Sequence, residues 1–87
     1  MTMVNEILVE RGANYGPFST QAQISQDIKD AIFKLGSARL SDDKKEALEM
    51  IAMKISRIIN GDPNYADNWD DIAGYATLIA HSVRKAG

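Results

Sequence analysis

The segment from residue 42 to residue 60 constrains the fold most, because apolar residues recur through it at helical spacing without a Gly or Pro. Ser41 is placed to cap a helix, Asp42 and Asp43 suit the positive end of its dipole, and Gly61 would end it. The pattern predicts a helix over about 42–60. At about 100° per residue its core face comprises Ala47, Leu48, Ile51, Ala52, Ile55, Ile58 and Ile59.

Two further helices are predicted before this segment. A short amphipathic run over about residues 3 to 11 ends at a glycine and depends on packing for its stability. A longer helix is predicted to start at a capping box formed by Thr20 and Gln23 and to run up to Gly36.

The last helix is predicted to begin with Asp67 as its N-cap and to run to about Arg84. Gly74 lies inside it and costs about 1 kcal/mol relative to alanine, which indicates close approach of another backbone or a ligand. Its predicted core face comprises Trp69, Ile72, Ala73, Ala76, Ile79, Ala80 and Val83.

The four helical segments, with weak strand signals and no long linker, predict a single all-α domain over residues 1–87. We expect an antiparallel helical bundle of about four helices. A domain of 87 residues buries only about 60 to 65% of the surface that its unfolded chain exposes. Since the chain has no cysteine, disulfides cannot stabilise it, and self-association is the remaining aid.

Charge and hydropathy exclude several classes of function. The net charge is −2 and the basic residues do not cluster, which argues against a nucleic-acid partner. The apolar runs are too short to span a membrane, and the N-terminus lacks the layout of a secretion signal. A cytoplasmic protein that does not enter the membrane is therefore expected.

Four acids on the last two helices are candidate metal ligands: Glu46, Glu49, Asp70 and Asp71. Oxygen ligands of this kind suit Mg²⁺, which would neutralise a polyphosphate. The alternative interpretation is a solvated surface, in which the two glutamates pair with nearby lysines and the aspartates serve the helix N-terminus. Lys54 and Arg57 are candidate contacts for phosphate oxygens.

Met50 and Met53 lie opposite the predicted core face of the 42–60 helix, beside Glu46 and Arg57. Methionine usually fills irregular apolar contacts, so this methionine face indicates a covering partner, most simply another subunit. Two scattered surface methionines are the alternative.

Two blocks of the sequence carry a family resemblance: ERGANYGPF at residues 10–18 and KISRIINGDPNYADNWDDIAGYA at residues 54–76. With these motifs the chain resembles a family of small phage and prophage proteins of uncharacterised function. The resemblance covers nearly the whole chain.

The helical layout is in turn similar to that of the all-α nucleoside triphosphate pyrophosphohydrolases of the MazG and dimeric dUTPase type. Those enzymes bind Mg²⁺ through ExxE on one helix and ExxD on the next, and they assemble as dimers or tetramers. Glu46 and Glu49 match the first motif and Asp71 the last acid of the second, whereas Asn68 replaces the second motif's glutamate.

This similarity implies a MazG-like homo-oligomer that binds a nucleotide through Mg²⁺ and hydrolyses it to a monophosphate and pyrophosphate. Asp70 or Asp67 would complete the metal shell, and Trp69 or Tyr75 would flank the base. The alternative hypothesis is a non-enzymatic phage accessory protein that binds a host or phage protein through the methionine face.

Overall fold

The computed structural model of the protein describes residues 16–34 and 36–86, which contain three α-helices and one short 3-10 helix. Helix α1 spans Phe18–Phe33, the 3-10 helix Ser37–Arg39, α2 Asp42–Asn60 and α3 Ala66–Ala86. These residues form no strand, which confirms the all-α class. The helix predicted over residues 3 to 11 lies outside the described residues, and a four-helix, MazG-like bundle is not confirmed.

Helix α2 is the centre of the fold. It packs against α1 on one side and against α3 on another, whereas α1 and α3 touch little. A central helix between two neighbours is covered on more than one face. Lys54, which is 9% exposed, and Ser56, which is fully buried, both lie outside the predicted core face of α2.

Helix α1 begins earlier than its predicted capping box. Gly16 has a φ of +77° and Pro17, the N-cap, is extended. The backbone carbonyl of Pro17 then accepts the N–H of Gln21 at 3.1 Å. Thr20 is therefore the third residue inside the helix and does not cap it, so the capping-box prediction is wrong.

The bounds predicted for α2 are confirmed, and Ser41 is its N-cap. The Ser41 hydroxyl nevertheless makes no hydrogen bond to the helix backbone. It donates instead to the carboxylate of Asp43 and lies 3.2 Å from the Nζ of Lys44, which donates to it.

Helix α3 begins at Ala66, so Asp67 lies in its first turn and not at the predicted N-cap. Its last turn carries Arg84 and Lys85, as the dipole argument predicts. Among the described residues, no helix combines the length and the apolar character needed to cross a membrane.

The apolar residues buried in the described part of the chain are only Ala47 and Ala52. The predicted core face of α2 is wrong at Ile59, which is 64% exposed near the end of the helix. The buried polar residues outnumber the apolar ones: they are Gln21, Ser25, Lys54, Ser56 and Asn68.

The predicted core face of α3 is also displaced. Trp69 is 54% exposed and Val83 49%, while Asn68 is only 1% exposed. The least exposed side of the helix follows Asn68, Ile72, Tyr75 and Ile79, which is the side that meets α2. The apolar period identified a real stripe, but α2 contacts the helix to one side of it.

Candidate functional site

A tight loop over residues 61–65 joins α2 to α3. Asp62 organises it, because its Oδ1 accepts the backbone N–H of Asn64 at 2.9 Å and its carbonyl accepts that of Tyr65 at 3.1 Å. The indole Nε1–H of Trp69 donates to the carbonyl of Pro63 at 2.8 Å. These bonds tie the first turn of α3 to the loop and set the register of the two antiparallel helices.

In that register Lys54 of α2 meets Asp71 of α3. The Lys54 Nζ lies 2.7 Å from the Asp71 Oδ2. The Lys54 side chain is 11% exposed and that of Asp71 46%, so the ammonium is largely withdrawn from water while the carboxylate is half hydrated. The ion pair therefore compensates mainly the burial of the lysine.

Arg57 lies one helical turn after Lys54 on α2, and Asn68 lies one turn before Asp71 on α3. The Nδ2 of Asn68 is buried and has no hydrogen-bond acceptor, and the Nε of Arg57 is in the same situation. Arg57 makes other polar interactions. Asn68 thus fills a buried position where the similarity to MazG-type enzymes would place a glutamate.

The candidate metal ligands are spread over two surfaces. Glu46 and Asp70 are exposed, Glu49 and Asp71 are half-buried, and Asp71 is bound to Lys54. Within residues 16–34 and 36–86, no three His, Cys, Asp or Glu side chains come together as a possible metal site. The Asp71 carboxylate is already bound by an ammonium at 2.7 Å, so a Mg²⁺ ion would have to displace Lys54 to bind this oxygen.

Two open grooves border α3, and Tyr75 and Leu78 line both. One, of about 330 Å³, also has Glu46 and Asp43 at its edge. The other, of about 560 Å³, includes Asp70, Asp71, Gly74 and His81. Three of the four candidate acids thus flank one tyrosine, whereas Glu49 lines neither groove.

Asp43, at the edge of the first groove, has a lowered pKa. The hydroxyl of Ser41 donates to the Asp43 carboxylate and lowers its pKa below the ordinary 3.8, with help from the backbone N–H and the charge of Lys44. The lowered pKa keeps this carboxylate charged in mildly acidic solution.

Of the four candidate nucleotide contacts, only Tyr75 lines the two grooves beside α3. Tyr75 lines both grooves, but Lys54 is engaged with Asp71, and Arg57 and Trp69 line neither groove.

A third groove, of about 390 Å³, runs between α2 and α3 and is almost wholly apolar. Its α2 side carries Ala47, Leu48 and Ile51, and its α3 side Ala76, Ile79 and Ala80. Leu40 and Lys44 complete it. Sequence reasoning assigned these apolar residues to a closed core and so missed the open surface.

The two sequence blocks that carry the family resemblance, residues 10–18 and 54–76, are in contact through their backbones. Asn60 Nδ2 donates to the carbonyl of Pro17 at 2.8 Å, and a Cβ on Gly16 would lie 1.9 Å from the carbonyl oxygen of Asn60. Only glycine fits here. Gly74, by contrast, has nothing within 4 Å of an added Cβ, so the close approach predicted there is absent from the described part of the chain.

The ion pair between Lys54 and Asp71 was not predicted from the sequence. The pairing of Lys54 with Asp71 joins residues that each had a separate predicted role, and no local signal links them. The burial of Asn68 could have been predicted, because this residue shares a helical face with Ile72 and Ile79.

No curated protein and no solved structure matches the chain. Residues 2–83 match a domain of unknown function, DUF6378, which covers nearly the whole chain. The chain therefore belongs to the DUF6378 family.

Proposed function

We propose that this chain is a non-enzymatic accessory protein, of phage or prophage origin, that binds a protein partner through the exposed side of α3. The observation that carries the proposal is the exposure of Trp69 and Val83 on a helix whose only buried residue is Asn68. The exposed Ala73 and Ala76 lie between them on the same side of α3, and a contiguous exposed apolar surface marks an interaction site more often than single scattered side chains do.

This interface differs from the methionine face expected from the sequence. Met50 and Met53 are half-buried on the central helix, whereas α3 carries three exposed large apolar side chains, Trp69, Leu78 and Val83. The apolar groove beside Ala76 and Ala80 extends the surface of α3 toward α2. A groove bordered by two helices suits an amphipathic helix from a partner.

Cross-linking inside cells that make the protein tests this proposal. A photoreactive amino acid at position 76 on α3 should give a discrete covalent adduct, whereas the same group at exposed Asp27 on α1 should not. The mass of the adduct separates a second copy from a different protein. Equal labelling at both positions, or none at position 76, would contradict the proposal.

A second candidate is the Mg²⁺-dependent nucleotide binding or pyrophosphohydrolysis of a MazG-like homo-oligomer. It is favoured by one observation: Tyr75 lines two grooves, of which one also has Glu46 in its lining and the other has Asp70 and Asp71. Calorimetry and pyrophosphate release with Mg²⁺ and a panel of nucleoside triphosphates test it. The non-enzymatic proposal predicts neither heat nor product, and turnover that Glu49→Ala abolishes would establish the enzyme instead.

A further inference from the structure

Several apolar residues of α3 form one stripe along the helix, whereas Leu78, which is 68% exposed, lies on the opposite side. We call Trp69, Ala73, Ala76, Ala80 and Val83 the α3 apolar face. Their spacings of three, four and seven residues bring them onto one side of an α-helix. Trp69, Ala73, Ala76 and Val83 are exposed, and Ala80 is half-buried beside the groove that α3 shares with α2.

This face is symmetric about Ala76. Trp69 lies seven residues before Ala76 and Val83 seven residues after it. If a second α3 is laid antiparallel across a two-fold axis at Ala76, each Trp69 meets the other copy's Val83. The small alanines in the middle permit close approach of the two helices, and a self-complementary patch of this kind is what a two-fold interface requires.

The charges on α3 favour the antiparallel orientation. Asp67 and Asp70 lie in the first turns, and Arg84 and Lys85 in the last turn. None of these four forms an ion pair with another described residue. At about 100° per residue, Asp70 and Arg84 flank the α3 apolar face, whereas Asp67 and Lys85 lie on the far side of the helix. Antiparallel pairing brings Asp70 of each copy toward Arg84 of the other and opposes the two dipoles, whereas parallel pairing would bring like charges together.

The tryptophan is also held in place for such a contact. Its Nε1–H is bound to the Pro63 carbonyl at 2.8 Å, so its polar atom is satisfied within the chain while much of the ring faces outward. A fixed aromatic ring with its hydrogen bond already made can be covered by an apolar partner without leaving a donor unpaired.

We propose that the partner of α3 is a second copy of this chain, bound in a symmetric antiparallel contact of the two α3 apolar faces centred on Ala76. This inference rests on the proposed function, because it identifies the protein that the exposed side of α3 binds. The groove between α2 and α3 lies beside the contact, so the second helix would cover part of it as well.

Sedimentation velocity of the purified full chain tests the stoichiometry. The wild type should sediment as a dimer at about 100 μM, and Ala76→Glu, which buries a charge at the centre of the contact, should raise the dissociation constant at least about tenfold. Asp27→Glu on exposed α1 is the matched control and should remain dimeric. Circular dichroism of each variant verifies that the helices are intact.

Single cysteines test the orientation, since the native chain has none. Ala76→Cys should form a covalent dimer on oxidation, because both copies of this position lie at the two-fold axis. Trp69→Cys and Val83→Cys should each cross-link poorly alone but efficiently when mixed. In the antiparallel pair the two copies of residue 69 would lie about 21 Å apart along the helix, and so would the two copies of residue 83.

A second readout uses the single tryptophan of the chain. Its fluorescence emission should shift to shorter wavelength as the protein concentration rises through the dimerisation range, and Ala76→Glu should abolish the shift.

Self-cross-linking of Trp69→Cys alone would overturn the antiparallel contact. A monomeric wild type would overturn the inference of a second copy. If such a monomer still gave a discrete adduct with another protein at position 76 in cells, the proposed function would stand without this inference. Failure of both experiments would remove the proposed function as well.

Discussion

Lys54 on α2 and Asp71 on α3 form an ion pair in which the lysine is almost buried and the aspartate is half exposed, with 2.7 Å between Nζ and Oδ2. Desolvation therefore costs more free energy for Lys54 than for Asp71. An unpaired Asp71 could be hydrated where it stands, whereas an unpaired Lys54 ammonium would remain in a poorly solvated position.

We predict that Asp71→Ala destabilises the protein more than Lys54→Met does. The first change leaves a buried charge without a partner and should lower the free energy of unfolding by about 2 to 3 kcal/mol. The second removes that charge while keeping most of the apolar side chain, and should cost about 1 kcal/mol or less. Urea unfolding measures both.

The double variant Lys54→Met/Asp71→Ala completes the cycle for this pair. Its stability should lie close to that of Lys54→Met alone, because the unpaired charge is then absent. Equal losses in the two single variants would show that the lysine is better solvated than its burial indicates.

Gly16 should not tolerate a side chain. Gly16→Ala would bring Cβ to 1.9 Å from the backbone oxygen of Asn60, at a φ of +77° that alanine rarely adopts. We expect a loss of about 3 kcal/mol or more in the free energy of unfolding, because the backbone of α2 must move to relieve the contact. Thermal and urea denaturation would measure this loss.

Gly74→Ala is the matched control for that substitution. Nothing lies within 4 Å of an added Cβ, and the residue is inside a helix. Alanine should therefore raise the free energy of unfolding by about 1 kcal/mol. If Gly74→Ala were as harmful as Gly16→Ala, steric contact could not be the cause at Gly16.

Asn68→Leu should preserve or increase stability. The Asn68 Nδ2 is buried without an acceptor, so an apolar side chain of similar size removes a desolvated donor and should gain up to about 1 kcal/mol. Asn68→Glu, which restores the acid of the MazG-type motif, should instead cost about 2 kcal/mol or more by burying a carboxylate. A stable Asn68→Glu variant that binds Mg²⁺ in calorimetry would contradict this account.

Asp43 should titrate below its ordinary pKa of 3.8, because Ser41 donates a hydrogen bond to its charged form. The folded pKa is the depressed one, so the interaction contributes its full stabilisation above the unfolded pKa. That contribution is lost as the pH falls through the folded pKa. NMR titration of the carboxyl group should show the pKa rising toward 3.8 in Ser41→Ala. Ser37→Ala, outside this contact, should leave it unchanged.

Much of the helical layout was predictable because its signals are local. The bounds of α2 follow from Ser41, the two acids after it and Gly61, all of which act within one turn of a helix end. The starts of α1 and α3 were less accurate. In α1 the turn at Gly16 and Pro17 starts the helix before the expected cap, and α3 starts one residue before Asp67.

The candidate site was less predictable than the helices. Periodicity placed Lys54, Arg57 and Asp71 on helical faces, but it could not show that Lys54 lies against Asp71 and not against a phosphate. That pairing joins residues 17 positions apart and depends on the register imposed by the loop at Asp62 and Pro63. The separation of the four candidate acids depends on the same register.

The sequence by itself determined where α2 lies and which end of α3 is acidic and which basic, because spacing and charge act within a single helix. Only the tertiary structure decided which faces are covered. A central helix with neighbours on two sides buries Lys54 and Ser56 with its alanines, and the rotation of α3 against it buries Asn68 and exposes Trp69. Periodicity identifies an apolar stripe, but the direction from which a neighbour contacts it depends on how the whole chain packs.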